Sequence, residues 1–122
     1  MAVKELLIET LSEFGYPVFL QGSLSKDEEY PESFFTFWNN NSFDGSHFDN
    51  ESISAIWDFD VNFYSKDPVL VNSKLLEAKN ALKNQGFIVS GQGYDVASDE
   101  VSWTGRGIQV LKIEKLEYMG GN

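Results

Sequence analysis

The chain has 122 residues, 42% of them apolar and 15% aromatic, which suits a single domain able to bury roughly two-thirds of the surface its unfolded form exposes. It has no cysteine, and that excludes disulfides, thiolate catalysis and cysteine-ligated zinc together. Nineteen acidic residues against nine basic ones give a net charge of −10. Gripping a phosphate backbone takes clustered Lys and Arg, so this charge argues against nucleic-acid binding. Two readings of the acidity remain: solubility alone, or a surface that repels nucleic acid or docks on a basic partner.

No apolar run approaches the ~20 residues of a membrane span, and Met1–Gly15 is amphipathic rather than signal-like. A soluble protein, intracellular where it is made, is therefore expected. One domain is expected over residues 1–122, with the ordered core at about 2–117.

In chain order, Val3, Leu6, Leu7, Thr10 and Leu11 fall on one side of a helix over Ala2–Phe14, and Gly15 ends it. Tyr16–Gln21 reads as a short strand. Gly22–Glu32 reads as a loop. Ser33–Trp38 is a strand with aromatics on both faces: Phe35 and Phe37 suit the core, leaving Phe34, Thr36 and Trp38 outward. That second face is either a site or a surface covered by one of the domain's own helices. Residues 22–51 carry seven acids and one base, hence −6 of the total charge, and Asn39–Asn50 is polar with an Asp44-Gly45 turn signal.

Ser52–Tyr64 is the strand on which the rest depends. Ile53, Ala55, Trp57, Phe59, Val61 and Phe63 recur at every second position, with Asp58, Asp60 and Asn62 between them. Fully extended, these residues span about 43 Å, longer than a typical strand, so one end is expected to project beyond the domain body. Asp67-Pro68 is a helix-start signal, and Val71, Leu75, Ala78 and Leu82 form an apolar stripe that stops at Gly86. Phe87–Ala97 and Ser102–Leu116 read as a closing hairpin with its tip at Ser98-Asp99-Glu100. Gly91-Gln92-Gly93 and Gly105-Arg106-Gly107 read as bulges that bend it. The expected class is α+β, in the order α-β-β-β-α-β-β. Its sheet is mostly antiparallel, with two helices packed on one face.

Catalytic signals are few. His47 is the only histidine and sits in a polar loop, so no Ser-His-Asp triad has support. Asp58 and Asp60 share one strand face about 6.5–7 Å apart, a span that suits paired carboxylates but is also common on the wet face of an amphipathic strand. Asp95, Asp99 and Glu100 lack the ligand spacing of a calcium loop. Neither glycine pair opens a helix, so neither reads as a phosphate loop. Arg106, the only arginine, is expected to pair with an acid either within the chain or across a subunit boundary. No catalytic, cofactor or metal residues are assigned. The candidate interface residues are Glu28, Glu29, Tyr30, Phe34, Trp38, Asp58, Asp60, Asp99, Glu100 and Arg106.

The run Trp57-Asp58-Phe59-Asp60-Val61-Asn62-Phe63-Tyr64-Ser65, then Asp67-Pro68, the Leu75–Leu82 helix, Gly86-Phe87, Gly91-x-Gly93-x-Asp95 and Thr104-Gly105-Arg106 resembles the neck and tail proteins of long-tailed bacteriophages. The tail terminator (tail-completion) family is the nearest in character. The resemblance covers roughly residues 50–115 and, more loosely, the N-terminal helix and first strands. It implies an α+β fold and a six-membered ring of copies on the head-proximal end of the tail tube. Such a ring halts tube polymerisation and meets head-completion (connector) proteins. DNA passes through it without specific binding, and it has no cofactor and no membrane contact. It is located in the virion tail or neck, and in the host cytoplasm during assembly. No catalytic residues come with the resemblance. The alternatives are another head–tail connector (adaptor or closure protein), or an acidic inhibitor or immunity protein that covers a basic nuclease. An enzyme using Asp58 and Asp60 ranks last.

Overall fold

A computed structural model describes residues 2–23, 29–40, 43–44, 52–98 and 100–117. Two helices and seven strands follow in the order α1 (Val3–Ser12), β1 (Val18–Leu20), β2 (Ser33–Asn39), β3 (Phe43–Asp44), β4 (Ser52–Ser65), α2 (Pro68–Asn84), β5 (Ile88–Val89), β6 (Tyr94–Val96) and β7 (Thr104–Glu117). The α+β class and the arrangement expected from the sequence hold. There are two additions: a two-residue strand within the stretch read as polar, and the outgoing arm of the closing hairpin broken into β5 and β6.

All the strands join one sheet in the order β1-β2-β4-β7-β5, with β3 also on β4 and β6 also on β7. Only β1 and β2 run parallel. At the centre, β4 and β7 pair one-to-one from Ser52↔Glu117 to Ser65↔Thr104. A bulge would set two residues against one, and none occurs along this ladder. Gly105 and Gly107 therefore do not bend the strand, which corrects the sequence expectation.

They do something else. A Cβ on Gly105 would lie 2.6 Å from two ring atoms of Tyr64, and one on Gly107 would lie 2.2 Å from Asn62 Oδ1 and 3.0 Å from Tyr94 Cε2. Side chains of the neighbouring strands lie flat across β7 at these two positions, and only glycine leaves room for them. The Gly91-Gln92-Gly93 segment does bend. Val89 pairs with Val110 and Tyr94 with Gly107, so four residues oppose two, and Gly91 and Gly93 adopt φ of 78° and 88°.

The strand period decides what is buried. Phe35 and Phe37 of β2, Phe59, Val61 and Phe63 of β4, and Ile108 and Val110 of β7 share one face. They pack there against Val3, Leu7 and Leu11 of α1 and Val71, Leu75, Ala78 and Leu82 of α2. The α2 stripe read from the sequence is buried at every position named. Asp67 caps this helix by accepting the Val69 amide at 3.0 Å, and Pro68 occupies the position that needs no amide partner.

Both helices thus cover the same side, and among the described residues no helix covers the other. No helix among those residues is long and apolar enough to cross a membrane.

Candidate functional site

The uncovered face is built from the alternate residues of the same strands. Cross-strand register places Trp38, Asp60 and Gln109 in one row, Thr36, Asn62 and Gly107 in the next, then Phe34, Tyr64 and Gly105. On the other side of the Trp38 row lie Asp58, Leu111 and Ile88, followed by Ile56 and Ile113. Tyr94 reaches in from β6 over Gly107.

One end of this face is an aromatic cluster. Phe34, only 2% exposed, touches Phe19 edge-on at 5.9 Å and Tyr30 at 5.5 Å, and stacks on Tyr64 at 5.3 Å. Tyr30 also meets Trp103 at 5.7 Å, and the Trp103 indole N–H donates to the Pro31 carbonyl at 2.9 Å. Among the described residues, then, no helix covers the outward aromatics of β2. Phe34 is roofed by rings from β1, β4 and the approach to β2, whereas Trp38 stays 48% exposed. A depression of about 160 Å³ lies among Phe19, Tyr30, Phe34, Thr36, Tyr64 and Ser98. That is smaller than the roughly 300–1,000 Å³ of cofactor pockets. It has room for a side chain.

The centre of the face is acidic and held in place by neutral donors. Gln109 Nε2 donates to both Asp58 carboxylate oxygens at 3.1 Å, and Asn40 Nδ2 donates to one of them at 3.3 Å. The Tyr94 hydroxyl donates to Asp60 Oδ1 at 3.4 Å. Burial, then the charge of Asp60 and the hydrogen bond to it, then the charge of Asp58, push the Tyr94 phenol above its ordinary value of 10.0. Two atoms beside the pair have no hydrogen-bond partner among the described residues: Thr36 Oγ1 and Asn62 Oδ1, on residues each 6% exposed.

No family model matches this chain, and no curated protein does.

Of the candidate interface residues, the structure brings Trp38, Asp58 and Asp60 together on the uncovered face, with Phe34 and Tyr30 at its aromatic end. Glu29 is exposed before Tyr30. Glu28 and Asp99 lie outside the described residues, as does His47. Glu100 is exposed on the turn before β7, where its amide donates to Ser98 Oγ at 3.1 Å.

Arg106 sits elsewhere. It projects to the helix side, pairs with Asp95 at 2.7 Å and donates to the Gln92 carbonyl at 2.9 Å. Its charge is matched within the chain, and the bond to Gln92 also pins the bent Gly91–Gly93 segment.

Sequence reading missed Asn40, Tyr94 and Gln109, the residues that orient the two aspartates. Gln109 was legible in principle. Once β4 and β7 are paired, it falls opposite Asp60, diagonal to Asp58. Among the described residues no group of three or more His, Cys, Asp and Glu side chains is placed to hold a metal ion.

Proposed function

We propose that this chain is a structural virion protein that caps the head-proximal end of a phage tail tube as a ring of copies, six in number. There it stops tube polymerisation and joins tail to head, without turning over a substrate. The observation that supports this reading is the β4–β7 ribbon. Its pairing runs over fourteen residues on each strand, but β2 reaches only Phe59–Ser65 and β5 only Val110–Leu111. The outer part, Ser52–Trp57 with Lys112–Glu117, has only the two-residue β3 beside it among the described strands.

Unpaired strand edges present backbone donors and acceptors to another chain. A ribbon that outreaches its own sheet is thus suited to adding strands to a neighbour. In a ring, each copy would offer this ribbon to the next, a heterologous contact that closes after a fixed number of steps. The acidity fits a lumen through which DNA slides without being held.

The test is a phage lacking the protein, with particles measured by electron microscopy. Tails of uncontrolled length, not joined to heads, are expected. Tails of normal length that merely fail to join would point to an adaptor or closure protein instead. Normal virions would refute the assignment to the neck altogether.

A further inference from the structure

We infer that the uncovered sheet face is a docking surface for a basic segment of another protein, with a lysine or arginine side chain placed between Asp58 and Asp60. The inference does not depend on which assembly the chain serves.

Three observations meet on this face. First, among the described residues the side-chain donors that orient the two carboxylates, Gln109, Asn40 and Tyr94, are all neutral. Among positions whose side chains are described, the face has no lysine or arginine. Lys66 lies beyond the Tyr64 row, over the Trp103 ring at 4.7 Å. The remaining described cations of the second half, Lys74, Lys79, Lys83, Arg106 and Lys112, belong to α2 and to the helix side of β7. A pair of like charges held side by side without a cation raises the energy of the free protein, and a cationic partner relieves it.

Second, Thr36 Oγ1 and Asn62 Oδ1 are buried without partners among the described residues, in the row adjoining Asp60. Buried acceptors left unmatched cost free energy, and a donor arriving from outside recovers it. Thr36 also lines the aromatic depression, so the same row offers a polar floor and ring walls. Arginine and lysine suit that combination, because their stems pack on aromatic faces while the charged head bonds to carboxylate.

Third, the acidic centre is flanked by large side chains that are about half exposed: Trp38 on one side, Ile88 and Tyr94 on the other, and Ile113 beyond. Trp and Tyr are over-represented among the residues that carry most of an interface's binding energy. A second copy of this chain is a poorer occupant, since its net charge is also −10. Like charges opposed across an interface are disfavoured. The same argument disfavours nucleic acid.

The test is a titration of the isotope-labelled full chain with a synthetic twelve-residue peptide of alternating arginine and valine, followed by backbone and indole NMR shifts. A matched peptide of glutamate and valine serves as control. Shifts are expected at Trp38, Asp60, Asn62, Tyr94 and Gln109, with none from the control peptide. Binding should weaken about tenfold or more in Asp58→Asn/Asp60→Asn, the size expected for losing a close charge pair. Glu5→Gln/Glu9→Gln on α1 should leave it unchanged. Trp38→Ser, altering an exposed side chain, should also weaken it and provides a second variant should the double one fold poorly. Shifts spread over α1 and α2, or equal binding by wild type and both face variants, would overturn the inference. So would concentration-dependent shifts on this face without peptide, which would mark it as a contact between copies.

Discussion

The replacement Gly105→Ala isolates the packing of rings across β7. Its new Cβ would stand 2.6 Å from two Tyr64 ring atoms and 2.8 Å from Val96 Cγ2, against 3.4 Å or more for ordinary contact. The Tyr64 ring would have to retreat by about 0.8 Å. It cannot do so freely, because it stacks on Phe34 at 5.3 Å, and Phe34 is wedged between Phe19 and Tyr30. Overpacking of this kind costs about 1–3 kcal/mol, and the lower entropy of an unfolded chain with alanine returns about 0.4–1 kcal/mol. Mid-range values of the two leave a net loss of about 1–2 kcal/mol. With an unfolding entropy of about 2.1 cal/mol/K per residue, that lowers Tm by about 4–8 °C in a chain of this length. Thermal unfolding followed by circular dichroism gives the shift. In a Tyr64→Ser background the loss should shrink, since the ring is gone and only the Val96 contact remains. A neutral or stabilising Gly105→Ala, or an undiminished cost in that background, would show that the glycine is not there to admit the ring.

Asp67→Ala removes the side-chain acceptor of the Val69 amide and should destabilise the domain by about 1 kcal/mol. Asp67→Ser should retain most of that stability; urea unfolding of the two variants checks it. The raised phenol of Tyr94 makes a pH prediction. In the window above 10.0 the folded protein binds the proton more tightly than the unfolded chain. Stability from this group is therefore complete below 10.0 and is lost as pH rises through the folded value. Tyr94→Phe should flatten the decline in stability above that pH, and an unchanged slope in urea titrations at pH 9–11 would count against the Asp60 contact.

Much of the fold was written in periodicity. The period-two run of β4 and the 3.6-period stripe of α2 each name their buried residues directly, because a single face of each element meets the core. The capping of α2 was equally local, needing only Asp67 and Pro68 side by side. The role of Gly105 and Gly107 was not legible, because glycine in a strand has two physical explanations. A bulge and a seat for a neighbour's ring look alike until register puts Tyr64 and Asn62 opposite. Phe34 posed a similar problem. Its outward position followed from alternation, but its roof came from Phe19, Tyr30 and Tyr64, which are distant in sequence from one another. Of the acidic face, Asp58 and Asp60 could be placed together from one strand, whereas Tyr94 and Gln109 required the pairing of three.

The central ladder also governs when the molecule can form. Its closest partners, Ser65 and Thr104, are 39 positions apart, and its farthest, Ser52 and Glu117, are 65 apart. Pairings so remote in sequence make folding slow, because loop-closure entropy is spent before any contact offsets it. During synthesis, Phe59, Val61 and Phe63 are made before Ile108 and Val110. For that interval β4 is a long, sticky strand whose β7 edge is open. Crowding of many nascent copies is the condition under which that edge would find the wrong partner.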